Sequence, residues 1–335
     1  MKQAVRTTLI AASTTLALTT LASCGSANTT ASGAGSAERV EITNCGVKVS
    51  VDGPRKKAVT AEQGSTELLL ALGLENQMVG TSNIKTEVAP QWKEAYQKVK
   101  VVTPQILTPE LTLSVSPDIV VSPLRSQFSK DRVGTRDELT AKGIASYISE
   151  ADCAPDKRTV KDPIDAIFTD YRNIGKLFGV SDKADKLVAE QTKEVETVEK
   201  NKAGGTPQKL VWIYSTFKGQ PYVAGGGGFP EAMSRRVGAT NVFSDIKDSW
   251  PEVSWEKVAE SDPDIIVVAD LKERGKPGDT AEEKIKEIKE NPAMSKTRAV
   301  QANSFLVVPG VELDASPRFV NALKIVAAEV NKKAS

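Results

Sequence analysis

Residues 108–122 read TPELTLSVSPDIVVS, and residues 250–270 read WPEVSWEKVAESDPDIIVVAD. In each, a glutamate (Glu110 or Glu256) is followed seven and eight positions later by a Pro-Asp pair, Pro117-Asp118 or Pro263-Asp264. An apolar run, IVV or IIVV, comes next. The first stretch predicts a short helix after Thr108, a stop at the proline and a buried strand from Ile119 to Val121. First-turn acids favoured by the helix dipole would explain each glutamate alone, but not the shared context. The recurrence divides the chain into two like halves.

Around the first copy, residues 41–50 (EITNCGVKVS) predict a hairpin. A strand at Ala58 to Thr60, a helix through Leu68, Leu69, Leu72 and Leu74 with Gly73 near its stop, and a strand at Met78 to Gly80 follow. Residues 136–149 repeat helix then strand around Gly143, giving an α/β lobe with a mainly parallel sheet. Asp162-Pro163 predicts a capped helix ended by Gly175 and Gly179. Ser181 then opens SDKADKLVAEQTKEVETVEKNK, whose roughly 22 residues would span about 33 Å. A strand at Lys209 to Tyr214, the glycine run 225–228, a helix through Met233 and Val237, a strand at Phe305 to Val308 and a helix from Pro317 build a second α/β lobe. The expected division is residues 1–23 as a leader, 24–40 as a tether, 41–180 and 204–335 as the two lobes, and 181–203 as the interlobe helix. Lobes joined this way leave a cleft, where small ligands usually bind.

Composition excludes much else. The 335 residues contain 44 Lys+Arg against 43 Asp+Glu and no histidine. That removes serine–histidine triads, HExxH sites and His-ligated haem, together with the commonest zinc ligand. Near neutrality with mixed signs gives no basic stripe for a phosphate backbone, so nucleic acid is not an expected partner. No protein metal site or cofactor is expected. A hydrolase on a two-lobe frame would need an activated nucleophile or a paired acid and base, and no such motif stands out.

The three cysteines are Cys24, Cys45 and Cys153. Lys2 and Arg6 precede the run from Thr7 to Ser23, which is too short and threonine-rich for a membrane span. Leu21-Ala22-Ser23-Cys24 resembles the lipobox of bacterial lipoproteins, in which the cysteine is acylated and becomes the first mature residue. Removing residues 1–23 turns a surplus of one base into a surplus of one acid. Residues 25–37, GSANTTASGAGSA, have almost nothing to bury and predict a flexible tether. The expected location is the outer face of the cytoplasmic membrane. There Cys45 and Cys153 are left as a pair in an oxidising compartment, where a structural disulfide is expected; a redox-active pair lacks the CxxC spacing.

The lipobox, AVTAEQGSTELLLALGLENQMVG, the TPEL unit, the mid-chain helix and SWPEVSWEKVAESDPDIIVV together resemble the substrate-binding lipoproteins of ABC importers for ferric siderophores, haem and cobalamin, over residues 56–330. The resemblance implies two rigid α/β lobes on one long helix, no catalysis, a monomer and an ABC permease dimer as partner. It also implies one glutamate per lobe pairing with permease arginines, which carries over to Glu110 and Glu256. A ferric siderophore is the first expectation for the ligand, with cobalamin or haem as the alternative; a structural or adhesive lipoprotein is the reading from a different class. The ligand-facing candidates at the sheet edges are Glu62, Gln63, Asn83, Arg125 and Gln127 in the first lobe. In the second they are Tyr214, Lys218, Tyr222, Phe229, Arg235, Arg236 and Trp250. Arg125 is the preferred basic contact for an anionic chelate, and Trp250 resembles the tryptophan bordering the pocket of cobalamin receptors. The glycine run lacks the lysine and hydroxyl of a phosphate loop, and is expected to provide flexibility or close backbone approach to a ligand.

Overall fold

The computed structural model describes residues 38–334 except 203, 217 and 218; the leader, Cys24, most of the tether and Lys218 lie outside the described residues. The chain opens with an antiparallel hairpin, β1 (Arg39–Asn44) and β2 (Val47–Asp52). Its turn is stapled to the first lobe by a disulfide between Cys45 and Cys153, 108 positions apart. Beside the staple, buried Asn44 donates to the Ile148 carbonyl (2.7 Å) and to Glu150 Oε1 (2.9 Å), and accepts from the Ile148 N–H.

The first lobe runs β3 (Ala58–Ala61), α1 (Gln63–Ala71), β4 (Met78–Ser82), α2 (Lys93–Tyr96), β5 (Val101–Thr103), α3 (Pro109–Leu113), β6 (Ile119–Ser122), α4 (Arg136–Ala141) and β7 (Ala145–Ile148). Its parallel sheet has the order β5-β4-β3-β6-β7. Every residue of β3 and β6 is buried, as expected for central strands covered on both faces.

Two helices follow, α5 (Pro163–Phe178) and α6 (Ser181–Lys200). Asp162 caps α5 by accepting from the N–H groups of Ile164 and Asp165, and Gly179 ends it in the left-handed conformation (φ 69°). Gly175, expected to end the helix, instead lies inside it. A Cβ there would come within 2.6 Å of the Ala184 side chain, so the missing side chain lets α5 and α6 approach closely. The connection between the lobes is therefore this packed pair of helices.

The second lobe comprises β8 (Lys209–Ser215), β9 (Tyr222–Val223), α7 (Phe229–Arg236), β10 (Thr240–Asn241), α8 (Trp255–Ser261), β11 (Ile265–Asp270), α9 (Ala281–Glu290), α10 (Arg298–Gln301), β12 (Phe305–Pro309) and α11 (Phe319–Ala334). Its parallel strands run β10-β8-β11-β12, with β9 antiparallel to β8.

The two Pro-Asp copies do the same work in both lobes. Asp118 accepts from the N–H groups of Lys56 and Lys57 (2.9 and 3.0 Å) and returns its own N–H to the Lys57 carbonyl. Asp264 accepts from the Lys209 N–H (2.8 Å) and returns its N–H to the Lys209 carbonyl. In each lobe the aspartate thus ties the start of one central strand to its neighbour, β3 to β6 and β8 to β11.

One apolar core runs through both lobes and the connecting helices. Phe319 of α11 packs at 6.1 Å from Phe168 of α5 and edge-on at 5.2 Å to Phe229 of α7. The glycine run has a packing role: Cβ atoms on Gly225, Gly226 and Gly227 would fall 2.0–2.2 Å from the carbonyl oxygens of Asp248, Ser244 and Lys247. The neighbour that approaches the run is the protein's own 244–249 segment.

Closing a loop near 100 residues constrains the unfolded chain by roughly 4–5 kcal/mol in the entropy limit. Replacing Cys45 and Cys153 by serine together is expected to lower the thermal midpoint by at least about 5 °C with the far-UV circular dichroism retained; an unchanged midpoint would show that the staple adds nothing.

Asp170 of α5 gives a second test. It is fully buried and accepts from Tyr147 Oη and the Glu150 N–H (both 2.8 Å) and from Ser149. Burial raises its carboxyl from 3.8 to about 7. Between about pH 4 and 7 the folded state then holds a proton that the unfolded chain has released, so this group's stabilisation is complete at low pH and lost as pH rises through 7. Asp170→Asn should flatten the decline of stability between pH 5 and 8, measured by urea denaturation; an unaltered slope would contradict it.

Candidate functional site

The segment after the carboxyl end of β4 meets the segments that follow β11 and β12, at the carboxyl ends of the strands where ligands bind in parallel α/β sheets. Glu62 directly follows β3 and Asn83 directly follows β4; Glu62 takes φ 102°, which is strained for a residue other than glycine, while Asn83 at 53° lies in the left-handed region that asparagine tolerates. Their side chains meet. Asn83 Nδ2 and Gln127 Nε2 both donate to Glu62 Oε1, at 2.5 and 2.7 Å.

The second oxygen of Glu62 lies 2.7 Å from the ammonium of Lys85, which also lies 3.3 Å from Asp314 of the second lobe. The Lys85 side chain is only 8 % exposed and that of Glu62 4 %. Lys85 Nζ is 5.8 Å from the ring centre of Tyr214, which packs 4.8 Å from the ring of Trp250. Burial opposes the lysine charge, but Glu62, Tyr214 and Asp314 outweigh it and hold the pKa well above its ordinary value. The Tyr214 hydroxyl is pushed up by burial and by Asp314.

A parallel cluster surrounds Arg318. Its guanidinium reaches Glu67 (3.3 Å) and the Glu87 carbonyl (2.9 Å) of the first lobe, and Glu312 (2.9 Å) of the second. Between the lobes lies a cavity of about 60 Å³ lined by Pro123, Leu124, Asp152, Phe229, Trp250 and Asp314. At Gly64 the lobes touch, since a Cβ there would come within 2.7 Å of the Ala315 carbonyl. A groove of about 460 Å³ at the flank runs from Ile84, Lys93 and Tyr96 to Glu273.

Of the residues singled out in the sequence, Glu62, Asn83, Gln127, Tyr214, Phe229 and Trp250 come together along this seam. Gln63 accepts from the N–H groups of Lys85 and Thr86 and so shapes the loop that presents Lys85. The Arg125 side chain is exposed, and its backbone N–H donates to Asp152 at 2.7 Å beside the cavity. Arg235 pairs with Glu231 and Asp162, and Arg236 with Asp162, Asp165 and Glu199; these pairs fasten α7 to the start of α5 and to α6, so both arginines are committed within the protein. Tyr222, on β9, pairs with Ser215 of β8 and bridges to Glu252. Glu110 and Glu256 are exposed in the first turns of α3 and α8, behind Thr108 and Ser254 caps. Hydrogen bonds from its own N–H and from Thr108 keep the Glu110 carboxyl below its usual range. Sequence reasoning missed Lys85, Asp314 and Arg318, although Lys85 stands only two positions after Asn83 in the same loop.

A model of the family described as "Periplasmic binding protein" matches residues 59–311. A vitamin B12-binding protein of Yersinia pseudotuberculosis is 23 % identical over 218 residues, covering 64 % of this chain and 69 % of its own. A periplasmic binding protein of Veillonella parvula is 29 % identical with a TM-score of 0.75, over 88 % of this chain and 98 % of that one. A protein of an ABC-type Fe3+-hydroxamate transport system from Saccharomonospora viridis has the same fold at 23 % identity, with a TM-score of 0.72 over 86 % and 98 % of the two chains.

Removing Lys85 would leave two buried carboxylates without their cation, which typically costs about 3–5 kcal/mol. Lys85→Met should therefore destabilise the chain at pH 7 and recover part of the loss toward pH 4, as Asp314, whose carboxyl burial already raises, takes up a proton. Urea titrations at the two pH values check this; a deficit independent of pH would contradict the ion-pair account.

Proposed function

The chain belongs to the periplasmic binding protein family, a non-enzymatic class of extracytoplasmic receptors with two parallel-sheet α/β lobes joined by long helices, and we propose that it captures a cobalamin-type metal chelate in the interlobe seam for an ABC importer permease. The observation that carries this reading is the Tyr214–Trp250 aromatic pair beside a polar cluster shared by both lobes. Aromatic faces and hydrogen-bonding groups suit a large chelate that already coordinates its metal. The match to a vitamin B12-binding protein supports cobalamin ahead of the ferric siderophore expected first from the sequence. Haem remains the second reading within this class, with tyrosine as the available axial ligand type.

Docking is assigned to Glu110 and Glu256, exposed in equivalent units of the two lobes. Exposed charges of this kind supply orientation and encounter rate more than affinity. The anchor is assigned to Cys24, with the tether letting the receptor reach the permease.

Titrating the full chain with cyanocobalamin, haem and a ferric trihydroxamate by tryptophan fluorescence should show cyanocobalamin binding most tightly, and Trp250→Phe should remove most of the quenching. Cyanocobalamin binding tenfold weaker than another chelate would reject this ligand. Glu110→Ala with Glu256→Ala should abolish uptake in cells while leaving ligand affinity within twofold; a matching loss of affinity would reject the docking role.

A further inference from the structure

The charges along the seam limit what the receptor can accept. Each buried cation there already has two acidic partners: Lys85 lies between Glu62 and Asp314, and Arg318 between Glu67 and Glu312. Asp152 adds a fifth carboxylate at the cavity wall, where it receives a backbone N–H from Arg125. Among the described residues the cavity wall includes Asp152 and Asp314 but no lysine or arginine. The seam thus holds more buried carboxylate than buried cation.

The ionisation of these groups agrees with that imbalance. Burial raises the carboxyls of Glu67, Asp152, Glu312 and Asp314 despite their cationic partners, with Glu62 adding to the rise at Asp314 and Asp314 to that at Asp152. Hydrogen bonding is unbalanced in the same direction. Gln127 Oε1 and Glu67 Oε2 are buried acceptors without a hydrogen-bond partner among the described residues. An arriving anion would meet like charge and acceptors in a desolvated space, whereas amide N–H groups or a cationic centre would find partners.

From these groupings we infer that the interlobe site selects chelates with no net negative charge that present hydrogen-bond donors. The inference rests on the receptor reading above and names the substrate class of that same site. It reverses the expectation of a cationic pocket built around Arg125. That side chain is exposed, so its field acts from the rim through solvent and is screened by salt.

The test compares probes of different charge on the full chain at fixed ionic strength and pH 7.5: cyanocobalamin (neutral), aquocobalamin and a ferrioxamine (cationic), and ferric tris-catecholate and ferric citrate (anionic). The neutral or cationic probes should bind at least tenfold more tightly than either anionic one. Asp314→Asn should narrow that gap by threefold or more, chiefly by tightening the anionic probes. Because Asp314 also holds Lys85, Asp152→Asn serves as a second variant and should narrow the gap in the same sense. An anionic chelate binding as tightly as the best neutral one would overturn the charge inference while leaving the receptor reading intact. Binding of none of the five would overturn the cobalamin reading and this inference together.

Discussion

The Lys85 ammonium stands between a carboxylate of its own lobe and one of the other, and the conformation of the seam follows from keeping that charge paired. A buried lysine without counter-ions would lose its proton or leave the interior. Glu62 supplies one carboxylate from a residue with positive φ beside Asn83, and Gln63 holds the backbone at Lys85 and Thr86. Asp314 completes the set from the loop after β12. Strain, turn geometry and interlobe contact are linked here: relaxing any one exposes an unpaired charge in a dry space.

Much of the fold is legible in the sequence because local and global signals agree. The apolar runs after Pro117 and Pro263 become central strands, Asp162-Pro163 starts a helix and Gly179 stops it. The repeated aspartates looked like part of a family signature, and their backbone bonds to Lys57 and Lys209 give the physical reason for the repeat. Gly175 and the run 225–228 were harder to read. A glycine that ends a helix and one that admits a neighbouring helix look alike in sequence, and the neighbour is known only from packing.

The site was less legible for the same reason. Glu62, Asn83, Gln127 and Tyr214 are placed near strand ends by periodicity, since strand ends define the edge of a sheet, and Trp250 is singled out by the family resemblance. Charge balance could not be placed that way, because Glu62 and Asp314 are distant in sequence and Arg235 and Arg236 found partners on α5 and α6 that no local pattern announces. A chain nearly neutral overall can thus hold an acid-rich seam, with its basic residues committed elsewhere.

Motion is constrained by where the lobes adhere. The interlobe cavity of about 60 Å³ is far below the several hundred Å³ of a chelate-sized site, so the proposed ligand enters there only when the seam parts. The α5–α6 contact at Gly175 and the Phe168–Phe319–Phe229 stack resist shear on the helical side, because separating them would expose apolar surface. The Lys85 and Arg318 clusters, in contrast, are polar and can exchange their partners for water or for ligand donors. Opening is therefore least costly as a small rotation about the helical layer that releases these two clusters first. A ligand that supplies donors to the freed carboxylates compensates for what opening removes, and an anionic ligand does not. The same ion pairs that join the lobes thereby discriminate among the chelates proposed to enter between them.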